Sequence, residues 1–244
     1  MKRRLVIIGL FIVSCDSGEM RERGVESSQF SVCNSMLSAC TNGSGDYCLF
    51  GYKWGQGNPV VQRGFDAPGP EIPALNVTYS FHNSTDGLNT HRQLDVLTGP
   101  FDEVMSCARG ETRKALDTWA EAGGISFVEV EDDSESDIRF YAAEIFQSGI
   151  GYPNFQQGTC GSFSGNVIVN PNSRFNTCEL FYGFILHEIG HALGLGHVDS
   201  ENIMNPGLIE FPEGLQEGDI RGLQALYGKG ESLLGDRGSL FIID

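Results

Sequence analysis

Four side chains in one short run could do chemistry together: His187, Glu188, His191 and His197, within Phe184-Ile-Leu-His-Glu-Ile-Gly-His-Ala-Leu-Gly-Leu-Gly-His197. His187 and His191 are four apart, so on a helix their rings share one face and can share one metal ion. Glu188 lies about 100° further round, close enough to serve a water at the metal without being needed as a ligand. Gly194 and Gly196 let the chain leave the helix and turn sharply, which brings His197 in as a third ligand. Three neutral imidazoles and a water make the open, tetrahedral geometry of a catalytic zinc site, and this segment supplies no fourth protein ligand to close it. The chemistry implied is hydrolysis, with Glu188 taking a proton from the water and passing it to the leaving group.

These residues need a helix and a scaffold around it. Asn176 as N-cap, with Glu179 three residues on, marks a start. Leu180, Phe184, Ile185, Ile189 and Leu193 give the helix its apolar face. An earlier helix is expected over residues 101–122, where Phe101, Val104, Met105, Ala108, Ala115, Leu116 and Trp119 fall at mostly helical spacing and Gly123-Gly124 ends the run. Strands are expected over residues 76–81, 125–130, 137–141, 151–155 and 166–170, with Pro153 suiting an edge strand because it lacks a donor.

The full H-E-x-x-H-x-x-G-x-x-H pattern, followed by Ile203-Met204-Asn205-Pro206, resembles the zinc helix and Met-turn of metzincins, and most closely the matrixin branch that includes matrix metalloproteinases. The likeness runs over roughly residues 50–228. Residues 115–120 with 125–130 resemble the first matrixin helix and its following strand, residues 136–140 the next strand, and residues 218–228 the C-terminal helix. The resemblance implies an α+β, zincin-like fold: a twisted mixed sheet of about five strands with three helices. It also implies Met204 as an apolar floor under the metal and Asp219 as a buried partner of the Met-turn backbone. Substrate would lie extended along the edge strand near residues 149–155. A specificity pocket would be lined by the zinc helix, the Met-turn and the loop over residues 207–218.

The departures from that family matter too. The interval from His197 to Met204 is one residue shorter than usual in matrixins, and Pro206 stands where astacins and serralysins carry a tyrosine. Outside the motif only His82 and His91 remain, too few for the second, three-histidine zinc site of matrix metalloproteinases. One catalytic zinc is therefore expected; calcium fits the acidity but has no specific motif here. No cysteine lies in a Pro-Arg-Cys-Gly switch, and Gly218 replaces the aspartate that pairs with a freed N-terminus. Activity without proteolytic maturation is the expectation.

The rest of the chain bounds the setting. With 16 Lys+Arg against 32 Asp+Glu the formal charge is −16, which repels phosphate backbones and argues against nucleic acid as a partner. Lys2, Arg3 and Arg4 precede an apolar run over residues 5–13, too short to span a bilayer and shaped as an export signal. Ile12-Val13-Ser14-Cys15 resembles the lipobox of bacterial lipoproteins, with Cys15 the acylation site; the other reading is an ordinary signal peptide with an incidental cysteine. Asp16 is a weak pointer to inner-membrane retention.

Setting Cys15 aside leaves Cys33, Cys40, Cys48, Cys107, Cys160 and Cys178, an even set suited to disulfides in an exported protein. Among 15 connectivities, pairs Cys160 with Cys178 and Cys33 with Cys40 are the expectation. The organisation expected is a signal peptide (1–15), a flexible tether (16–45), the metallopeptidase domain (46–228) and a tail (229–244). The whole reads as a monomeric, lipid-anchored or secreted zinc endopeptidase acting on protein or peptide, its only membrane contact the anchor. The alternative is a non-catalytic, lipid-anchored protein-binding module on the same fold.

Overall fold

The computed structural model describes residues 38–55, 61–74, 76–84, 95–131, 135–145, 147–154, 164–173, 175–208 and 211–230. The export signal, Cys15, Cys33, His91, Cys160 and the tail beyond residue 230 lie outside the described residues.

Among the described residues, eight strands and three α-helices follow one another: β1 (Cys48–Leu49), β2 (Gly64–Phe65), β3 (Val77–Phe81), β4 (Asp95–Gly99), α1 (Ala108–Ala122), β5 (Phe127–Glu129), β6 (Ile138–Glu144), β7 (Gly149–Gly151), β8 (Asn166–Val169), α2 (Cys178–Leu193) and α3 (Glu217–Tyr227). The fold is α+β, as expected. Its main sheet runs β5-β3-β6-β8-β7, with β4 pairing β6 beyond the end of β3. Strands β5, β3, β6 and β8 are parallel, while β7 is antiparallel to β8 and forms an edge. β1 and β2 make a separate antiparallel pair that the sequence reading did not include.

The inner parallel strands are buried: β8 reads Asn-Val-Ile-Val with every residue covered, and β6 carries Ile138, Phe140 and Tyr141 at 0% exposure. Sheets of this kind need cover on both faces and therefore lose the polar alternation of a half-exposed strand. Helix α2 is buried all round, from Phe181 to Leu193 without a break, so it runs through the core and not over it. Trp119 of α1 packs into the same core and donates its indole N–H to Leu186 O at 3.0 Å, tying the two helices together.

Several boundaries differ from expectation. The first helix begins at Ala108, not Phe101; Phe101–Glu103 form a 3-10 turn. Phe101 is pulled into an aromatic cluster with Phe81 (5.2 Å between rings) and Phe140 (5.9 Å), and a 3-10 turn repeats every three residues, which mimics the helical pattern over 101–108. Helix α2 is capped by Thr177, whose hydroxyl accepts the Leu180 N–H at 3.1 Å, so the cap falls one residue after Asn176. Edge strand β7 occupies 149–151 and stops before Pro153, which has no N–H for a ladder.

Neither expected disulfide, Cys160 with Cys178 or Cys33 with Cys40, is formed. Cys40 joins Cys48, and Cys107 joins Cys178. The second of these bridges 71 positions of sequence, a pairing set by how α1 packs on α2. The first draws Ser38–Cys40, a 3-10 turn inside the stretch read as a tether, against the folded domain.

Candidate functional site

The three histidines meet. His197 Nε2 lies 3.2 Å from His187 Nε2 and 3.1 Å from His191 Nε2. Tetrahedral zinc with Zn–N bonds of about 2.0–2.1 Å requires nitrogens roughly 3.4 Å apart, close to what is found. No other cluster of metal-ligating side chains occurs among the described residues.

Backbone carbonyls fix which nitrogen of two rings is free. His187 Nδ1 lies 2.6 Å from Ile203 O, and His191 Nδ1 lies 2.8 Å from Leu195 O. A carbonyl oxygen can only accept, so each Nδ1 carries the proton and each Nε2 presents a lone pair inward. A single proton on His197 Nε2 could satisfy one of those lone pairs, whereas a cation takes all three. Burial favours the neutral rings throughout. It lowers His187 to about 4, against the pull of the Ile203 carbonyl, and His197 to about 3 with help from neighbouring His187. His191 is held well below its ordinary value by burial and by the two other rings. Neutral imidazoles are what a divalent ion requires.

Glu188 stands beside them, 1% exposed. Burial raises its carboxyl to about 8, opposed by a hydrogen bond from the Gly151 backbone N–H. Its Oε1 is buried with no hydrogen-bond partner. Such an orphaned oxygen, on the residue that follows His187, is costly unless a partner from outside the chain such as a water reaches it. The donor set and this orphaned atom both fit zinc.

Glycines allow the close packing that holds the site. A methyl group on Gly151 would fall 2.0 Å from Glu188 O, and one on Gly149 would fall 2.3 Å from the Phe184 ring. The edge strand can therefore press directly onto the helix. Gly190 leaves room for Met204, whose sulfur would lie 2.3 Å from an added methyl group. Met204 is 2% exposed and follows Ile203, the residue that holds His187.

Asp219, also buried, accepts the N–H groups of Ile203 (2.9 Å), Met204 (3.2 Å) and Gln216 (2.8 Å). The position inferred from resemblance is thus the one that ties α3 to the Met-turn. Burial raises its carboxyl and the three amides oppose that shift. Gly218 has another use: an added methyl group would collide with Asp46 O and Asn202, and Asn202 bridges Asp46 O and the Gly218 N–H.

Helix α2 ends at Gly194, in the left-handed region with φ 108°. The N–H groups of Gly194 and Leu195 return to His191 O and Gly190 O in a Schellman pattern. The next carbonyls are claimed from far away. Trp54 Nε1 donates to Ala192 O at 2.9 Å, Tyr227 Oη to Leu193 O at 2.8 Å, and Phe50 N to Gly194 O at 2.9 Å. Phe50, Trp54 and Tyr227 were not among the site residues expected from the sequence. Cys48, set among the apolar and aromatic residues 47–54, was the available signal.

A matrixin family model matches residues 166–228, which span β8, α2, the Met-turn and α3. Serralysin B of Dickeya chrysanthemi is 30% identical over 135 residues, covering 51% of this chain and 26% of that protein. Human matrix metalloproteinase-20 is 34% identical over 136 residues, 50% of this chain and 28% of its own. The hatching enzyme of Paracentrotus lividus is 28% identical over 176 residues, 62% and 25% respectively. The chain thus spans about a quarter of the length of these relatives. Together the α+β fold, the histidine triad and these similarities support a metzincin-type catalytic domain in this chain.

Proposed function

We propose that this chain is a zinc-dependent endopeptidase that hydrolyses peptide bonds in extended polypeptide, with His187, His191 and His197 holding the ion and Glu188 as the base. The observation that carries the reading is the convergence of three Nε2 atoms, with the adjoining residue Glu188 holding a buried carboxylate oxygen without a partner. When bound, zinc would supply Lewis acidity, polarising the scissile carbonyl and acidifying water.

The protein's own groups do the rest. Ile203 O and Leu195 O keep both Nδ1 atoms protonated and both Nε2 atoms inward. Glu188 Oε1 takes a proton from the attacking water and delivers it to the leaving amine nitrogen. The Gly151 N–H steadies this carboxylate from the edge strand. β7 is the last strand of its sheet, so its outer side offers backbone groups to a substrate strand. His82, at the end of β3, takes no part in this site: it stacks on Tyr141 and contacts Ser80.

Two disulfides among the described residues suit an exported protein. Cys15 is the proposed lipid anchor, and Cys15→Ala should release the protein from the membrane fraction. The direct test of the activity is incubation with casein or gelatin with and without chelator. Cleavage that chelator abolishes and zinc restores is the expected result; no cleavage by the zinc-loaded protein would overturn the reading.

A further inference from the structure

The contacts around the triad lead into a stretch of chain that the peptidase reading leaves without a role. We propose that the cystine joining Cys40 to Cys48, together with Phe50, positions His191 and His197, so that tight metal binding depends on this disulfide being closed. The proposal rests on the triad's being a zinc site.

Backbone contacts come first. Leu49 forms an antiparallel bridge with Leu195, the Gly196 N–H donates to Cys48 O at 2.8 Å, and the Phe50 N–H donates to Gly194 O at 2.9 Å. The segment carrying the cystine is thus zipped to the three residues before His197. Leu195 is also the residue whose carbonyl sets the tautomer of His191. Any shift of Leu195 therefore moves one ligand's hydrogen-bond partner and the other ligand's point of departure together.

Side-chain packing makes the same connection. A methyl group on Gly196 would fall 2.0 Å from Cys40 Sγ and 2.9 Å from Phe50 Cε1. The cystine and the Phe50 ring fill the space over the residue adjoining His197. The same ring stacks on His191, with centroids 5.7 Å apart and planes 27° from parallel. Opening the S–S bond leaves Cys40 covalently joined to this seat only through the chain of residues 41–47. Groups that orient metal ligands without touching the metal typically matter by 10–100-fold in affinity.

The other cystine provides the control. Cys178 is the first residue of α2, nine positions before His187, or about 13 Å along the helix. It braces the same helix without contact near the ligands.

The experiment uses the full chain, with zinc affinity read by competition against a chromophoric chelator at a temperature where circular dichroism shows each variant folded. Cys40→Ser/Cys48→Ser is expected to weaken zinc binding at least about ten-fold, and Cys107→Ser/Cys178→Ser to stay within about two-fold while melting at lower temperature. Unchanged affinity in the first variant, or equal loss in both, would overturn the proposal. Gly196→Ala gives a second reading should the first variant not fold, because it keeps both cysteines but forces the cystine off its seat. A similar loss is expected there, and zinc affinity like the parent's counts against the proposal. A parent chain that binds no zinc would instead remove the triad reading on which this one stands.

Discussion

The two ends of helix α2 are built by different means. Its first turn is held by one local cap and one long-range cross-link: the Thr177 hydroxyl caps the Leu180 N–H three residues on, and Cys178 is tied to Cys107 at the start of α1. Its last turn is assembled from distant parts of the chain, with Trp54, Phe50 and Tyr227 each supplying a donor to a terminal carbonyl. A helix leaves its last four carbonyls without partners, and here that obligation falls beside His191 and His197. The difference suggests that the first turn bears on stability alone, whereas disturbing the last turn reaches the chemistry.

The largest effect expected lies between the two ends. Glu188→Ala should lower kcat by about 10³-fold or more, since a positioned general base typically contributes 10²–10⁴-fold. Zinc content, measured by atomic absorption, should remain one per chain, because the carboxylate serves the water and not the ion. Zinc lost in parallel with activity would mean that Glu188 supports the ion instead. Asp219→Ala is the next most severe change. It leaves the buried N–H groups of Ile203, Met204 and Gln216 without their acceptor and should cost about 3 kcal/mol in urea unfolding. A loss below about 1 kcal/mol would show that water or the backbone replaces the carboxylate.

Two smaller substitutions set the helix ends against each other. Tyr227→Phe removes a hydroxyl that accepts the Trp54 N–H at 3.1 Å and donates to Leu193 O at 2.8 Å. It should destabilise by about 2 kcal/mol and weaken zinc binding measurably. Thr177→Ala should cost about 1 kcal/mol, the usual worth of a helix cap, with zinc affinity unchanged. If the two variants retain zinc equally well, the last turn carries no special burden and the contrast fails.

What the sequence made legible follows the same division. The meeting of the three histidines and the α2 helix could be read because they depend on spacing within one helix and one glycine turn. Thr177 in place of Asn176 is an error of one residue between two competent caps. The start of α1 was misplaced because Phe101 obeys the aromatic cluster on the sheet and not its own helical periodicity. The cysteine partners were unreadable from spacing: Cys107 and Cys178 meet only once α1 lies on α2, and Cys40 chooses Cys48 in the β1 region that was not foreseen. Asp219 was found only through family resemblance, since an acidic residue in the first turn of a helix is ordinary on its own.

The smallest effect concerns a cation buried just after β1, Lys53. Lys53 lies between Tyr52, whose carbonyl abuts Gly194, and Trp54, which caps Ala192 O. It is 2% exposed, its Nζ donates to Ile72 O, and it stands over the Tyr227 ring at 4.9 Å. Burial lowers this amine from 10.5 to about 8. Between those two values the unfolded chain holds the proton more tightly than the folded one, so unfolding takes up protons and stability rises with pH across that window. Below pH 8 the amine is charged in both states and its burial cost is constant. Lys53→Met removes this titration. The stability of the parent relative to that variant should therefore be flat from pH 6 to below 8, climb from about 8 to about 10.5 and then level off. Titrations common to both proteins cancel in the difference, which denaturant melts at a series of pH values would measure. A flat difference through that window would show that Lys53 keeps an ordinary amine's affinity for its proton, and that a buried charge is tolerated without cost beside the end of α2.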